Sequence, residues 1–105
     1  MWTILIFTAD YQRVVNYFLH YINDIANSRY SARETHIQTK CLLISIYSYT
    51  SPEPFRGLKG DIIYIDDDIY SDDVLRCEVF SPMAPWGKVR PFRDLVFKTN
   101  NFQER

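Results

Sequence analysis

The sequence predicts an α/β domain: a small, mostly parallel central sheet of about four strands, with one main helix over residues 11–27. Three observations predict it. Two short runs, Thr3 to Thr8 and Ile62 to Ile65, are apolar at consecutive rather than alternate positions, as in strands buried on both faces of a parallel sheet. Between Tyr11 and Asn27 the apolar residues recur at three- and four-residue spacing, the period of an amphipathic helix. No repeat or composition shift breaks the chain, so residues 1–105 are expected to form a single domain. A chain of this size buries roughly 60–65% of the surface it would expose unfolded, enough for a core of its own.

Each element follows from local pattern. Thr3 to Thr8 reads as a short buried strand, stopped by the turn Thr8-Ala9-Asp10. Val14, Val15, Phe18, Ile22, Ile25 and Ala26 then mark one helix face, with Asp10 or Thr8 placed to cap the first turn. Asn27 to Glu34 is polar and reads as a loop. Residues 37–49 read as one strand. Cys41 to Ile44 are apolar on both sides, and Ser45, Tyr47 and Tyr49 then alternate with Ile46 and Ser48. Pro52 and Pro54 end it. Residues 61–66 form a short strand of central type. Asp72 to Arg76 has the length of one or two helical turns. Pro82, Pro85, Gly87 and Pro91 make residues 81–91 irregular, and Asp94 to Thr99 reads as a final buried strand.

Composition limits the function classes. Apolar residues make up 47% and charged residues 24% of the chain, ordinary values for a globular protein that do not indicate disorder. A net charge of -1 gives no global attraction to nucleic acid or anionic membrane. Charge is segregated locally instead. Asp61, Asp66, Asp67, Asp68, Asp72, Asp73 and Glu78 face only Arg76 over residues 61–78, whereas Lys88, Arg90, Arg93 and Lys98 face only Asp94 over residues 86–98. Two cysteines, Cys41 and Cys77, stand in no metal-ligand spacing and are expected reduced and partly buried. The first residues carry no basic segment and no apolar run reaches membrane-spanning length. The expectation is therefore an intracellular, cytoplasmic protein with no membrane partner.

The stretch "FRGLKGDIIYIDD" sets an apolar strand behind consecutive acids. It resembles the Walker B region of large terminases and related viral packaging or helicase ATPases. There an Arg-Gly pair precedes a strand ending in Asp-Asp or Asp-Glu. "TILIFTADYQRVVNYFLHYINDIANS" is similar to the strand and helix that follow the nucleotide-binding segment, and "DLVFKTN" to a later strand ending in a coupling Thr. The resemblance implies that Asp66 matches the magnesium aspartate and Asp67 the catalytic acid, with Arg56 and Gly57 in the preceding turn. It also implies a viral or phage origin. The departure is the missing G-x-x-x-x-G-K-[ST] loop, the backbone cradle for a triphosphate. With that loop missing, the resemblance implies a piece or a repurposed remnant of the fold rather than an autonomous motor.

Read from the residues alone, Asp66 to Asp68 fit a solvated turn whose carboxylates bond nearby amides. A divalent-metal phosphohydrolase or nuclease would use Asp66 and Asp67 on Mg2+, or draw together Asp61, Asp66, Asp68 and His36. His20 has no second His or Cys three or four places away. Ser45 and Ser48 lack the glycine context of a nucleophile elbow. "PWGKVRPFRDLVFK" interleaves rings and cations, as single-strand nucleic-acid binders do, or as a loop with Trp86 and Phe92 in the core and Lys88 and Arg90 in water. These readings converge on a small non-catalytic binding or regulatory module with no cofactor. It docks a protein partner, or a copy of itself, through Asp67, Asp68, Trp86, Lys88, Arg90 and Phe92. The alternatives are the metal-dependent enzyme and a nucleic-acid-binding accessory of a packaging or replication machine.

Overall fold

A computed structural model describes residues 2–21 and 27–94. Its strands are β1 (Trp2–Thr8), β2 (Asn27–Tyr30), β3 (Glu34–Gln38), β4 (Leu42–Ser48), β5 (Ile62–Ile65) and β6 (Lys88–Pro91). Its helices are α1 (Tyr11–Tyr21) and the short α2 (Asp67–Tyr70) and α3 (Asp73–Leu75). A π-helical turn at Arg76–Phe80 and 3₁₀ turns at Glu53–Phe55 and Ser81–Met83 complete it. The strands form one sheet in the order β2-β3-β4-β1-β5-β6. β4, β1, β5 and β6 run parallel, and β2 and β3 join antiparallel.

The α/β class is as expected, but the sheet is a six-stranded mixed one rather than a mostly parallel sheet of about four strands. Residues 37–49 are not one strand. Thr39 turns the chain into a β3–β4 hairpin, its N–H donating to Leu42 O (2.9 Å) while its Oγ1 accepts from Leu42 N (3.1 Å). The expected loop at 27–34 contains β2, closed onto β3 by Ser31 Oγ, which accepts from the N–H groups of Arg33 (3.3 Å) and Glu34 (3.1 Å). The irregular segment 81–91 ends in β6, paired in parallel with β5. Asn27 already belongs to β2, which ends the expected 11–27 helix short of that residue. Residues 22–26 and most of the expected strand at 94–99 lie outside the described residues.

β1 is buried on both sides, as its composition requires. Ile6 packs beneath α1 with Tyr11, Val14, Val15 and Phe18, joined by Ile37, Ile44, Ile46 and Tyr64 from the sheet. Leu5 and Phe7 face the other layer with Tyr47, Tyr49, Ile63, Ile65, Phe80, Met83 and Ala84. Phe7 is the centre of that layer. Its ring lies 5.3 Å from Tyr47, 5.0 Å from Phe55 and 5.4 Å from Phe80, and such pairs each add about 0.5–1.5 kcal/mol beyond the area they bury. α1 is held to the hairpin edge by Tyr11, whose hydroxyl donates to Ser31 O (2.9 Å) and lies 2.6 Å from Thr35 Oγ1.

Candidate functional site

From β1 the chain passes through α1 to the β2-β3-β4 side of the sheet, and from β5 it passes to β6 on the other side. The crevice between the carboxyl ends of β1 and β5 is therefore the switch point where open α/β sheets bind ligands. Asp66 stands there, directly after β5. Its Oδ2 accepts from the Ala9 N–H at 2.8 Å, clasping the β1–α1 turn across the crevice. That turn is only Ala9 and Asp10, without glycine, and offers no backbone loop around a phosphate.

Asp67, Asp68, Asp72 and Asp61 each bond separate backbone amides. Asp67 is exposed and its Oδ1 sits 3.4 Å from the Arg93 N–H, while Asp68, also exposed, accepts from Ile69 N–H at 3.0 Å. Asp72 caps α3 through the amides of Val74 and Leu75. Asp61 lies at the opposite end of β5 from Asp66, roughly 16 Å away along the strand. There its Oδ2 accepts from Thr3 N–H (2.8 Å) and its carbonyl from Lys88 N–H (3.2 Å). His36 is on β3, separated from β5 by β4 and β1. The structure thus does not bring Asp61, Asp66, Asp68 and His36 together. Among the described residues, no group of three or more His, Cys, Asp or Glu is arranged to hold a metal ion.

The aromatic and basic stretch divides. Trp86 is 94% exposed, at the tip of the turn that leads into β6. Gly87 fixes that turn: its N–H donates to Ala84 O (3.2 Å), and a Cβ on it would lie 1.3 Å from Asp61 O. No other residue fits this close approach. Phe92, by contrast, is half-buried against the α1 layer. Trp86 and Lys88 therefore lie at the amino end of the parallel strands. Asp67, Asp68 and Phe92 lie at the carboxyl end, with Arg90 between. Lys88 and Arg90 are exposed and pair with no carboxylate among the described residues. They border an open groove of about 440 Å³ with Tyr70, Arg76, Ser81 and Val89. Arg76 is already engaged, by Asp73, by Tyr70 O at 2.7 Å and by the Tyr70 ring at 5.0 Å.

Cys41 and Cys77 are both exposed, against the expectation of partial burial. Cys41 falls in the β3–β4 turn and Cys77 in the π-helical turn, where apolar character in sequence did not mean an inward position. Among the described residues, no helix is long and apolar enough to cross a membrane.

One constellation escaped the sequence reading. Arg29, His36 and Ser45 lie side by side across β2, β3 and β4, with Glu34 and Tyr47 in the adjoining row. His36 Nδ1 is 2.9 Å from Ser45 Oγ, and its ring meets Tyr47 edge-on at 5.9 Å. Burial raises the Tyr47 phenol above its ordinary range, opposed by its bond to Ser45 and reinforced by the charge of Glu34. The period-two alternation of polar Glu34, His36 and Gln38 with Thr35 and Ile37 was the available signal. Comparison with family models, curated proteins and solved structures gives no match for this chain.

Proposed function

We propose that the protein is a non-catalytic binding module that docks a protein partner along the β6 edge, anchored by Trp86. The exposure of Trp86 on a turn that Gly87 locks against Asp61 carries this reading. A tryptophan fully in water does nothing for the core, whereas on a rigid support it is the side chain that most often dominates a protein interface. Rigidity also lowers the ordering cost of association.

The edge itself favours recognition by side chains. Because Lys88 N–H points to β5, the backbone of Val89 faces outward. The next outward position is Pro91, which has no N–H to donate, so an added strand finds little ladder there. Lys88 and Arg90, unpaired among the described residues, flank the edge and select an acidic partner surface. Two cations are a small footprint for nucleic acid, which would be retained in a strongly salt-dependent way. A viral or phage origin accompanies this reading through the resemblance running from Arg56-Gly57 to Asp66-Asp67.

The test is affinity capture with quantitative mass spectrometry, using wild-type and Trp86→Ala baits. We expect the variant to keep the wild-type melting temperature and to lose its partner about 10- to 100-fold, the scale of an interface anchor. Equal retention by both baits would remove the proposal.

A further inference from the structure

We infer that the bare half of the sheet, over β2, β3 and the adjoining part of β4, binds a small amphipathic organic anion: an aromatic or alkyl body carrying a carboxylate, sulfonate or phosphate. The inference stands apart from the Trp86 edge, on the opposite border of the sheet.

On the face away from α1, three cavities of about 180, 240 and 780 Å³ adjoin. The first two share Arg29 and His36, and the last two share Ser31 and Glu34, so they read as one trough. Its larger chamber is walled by Tyr47, Pro54, Phe55 and Leu58, and its volume falls in the range of small-molecule sites. That end suits an apolar body.

The other end is built for negative charge. Arg13, Arg56 and Arg76 are paired with Asp10, Glu53 and Asp73. Arg29 and Arg33, which border the trough, pair with no carboxylate among the described residues. Beside Arg29, His36 is held in place through Nδ1 by the hydroxyl of Ser45, a residue only 4% exposed. Its Nε2 lies 3.7 Å from a Glu34 carboxylate oxygen, beyond hydrogen-bond distance, so this end sets two guanidiniums against one carboxylate. A guanidinium beside an oriented imidazole can hold one anionic head, and the aromatic chamber then takes the tail.

The probe is 1-anilinonaphthalene-8-sulfonate, titrated by fluorescence against the folded chain. We expect one saturable site, weakened at least tenfold by the double charge reversal Arg29→Glu and Arg33→Glu, and unchanged by Trp86→Ala. Both arginines are exposed, so unfolding curves should overlay with wild type. Dodecanoate should displace the dye and dodecanol should not. Absence of saturable binding, equal affinity in the charge-reversed variant, or equal displacement by the alcohol would each overturn the inference.

Discussion

One sheet face carries two halves of opposite character. Over β1 and β5 the side chains on this face are Leu5, Phe7, Ile63 and Ile65, roofed by Phe55 from the 3₁₀ turn and by Phe80, Met83 and Ala84 from the long β5–β6 connection. Over β2 and β3 the same face presents Asn27, Arg29, Glu34, His36 and Gln38, and the roof stops at Tyr47 and Tyr49. Both halves share one hydrogen-bonded ladder. What separates them is which residues the alternation points upward, so the roofed half supplies stability and leaves the bare half free to be polar.

The comparison can be broken most forcefully at Phe80, which is fully buried and touches both Phe7 and Tyr49. Phe80→Ala should cost about 3–5 kcal/mol, read from urea unfolding. A loss as small as that of a change at exposed Arg29 would mean that the roof does not carry the fold. A smaller effect is expected at the clasp. Asp66→Ala leaves the Ala9 N–H without its partner and should cost about 1–2 kcal/mol, lowered by partial exposure of the site to water. Hydrogen exchange at Ala9 should speed up selectively; unchanged exchange there would remove the clasp.

The finest test uses Tyr47, where the halves meet. Burial is the largest cause holding the phenols of Tyr47, Tyr49 and Tyr64 above the ordinary value of 10.0. The folded chain then binds more protons than the unfolded one at alkaline pH. Stability is full below pH 10.0 and falls as pH rises from there through the folded values. Tyr47→Phe should flatten this decline in a pH series of denaturation midpoints, and an unaltered slope would show that its phenol is not held back by burial.

How much of this was legible depended on whether the deciding partner was close in sequence. β1, β5 and α1 were legible, since continuous or 3.6-period apolar runs need no distant partner to be recognised. β2 and the β3–β4 turn were not, because the turns are made by Ser31 and Thr39 hydroxyls rather than by Gly or Pro. β6 was hidden by the prolines in and before it, of which Pro91, its last residue, is tolerated because β6 is an edge strand. The placement of Asp66 after the strand was readable, and its use was not: Ala9 lies 57 positions away. Trp86 and Phe92 look alike in sequence, and only the fold turned one outward and the other in.

Asp61 gathers the starts of three strands at one residue, and Gly87 is pressed against its carbonyl. In a saturation library this makes two neighbouring codons independent instruments. Position 87 should retain glycine alone under any selection for folding. Position 86 should accept nearly every residue under that selection and narrow to tryptophan only when binding is selected as well.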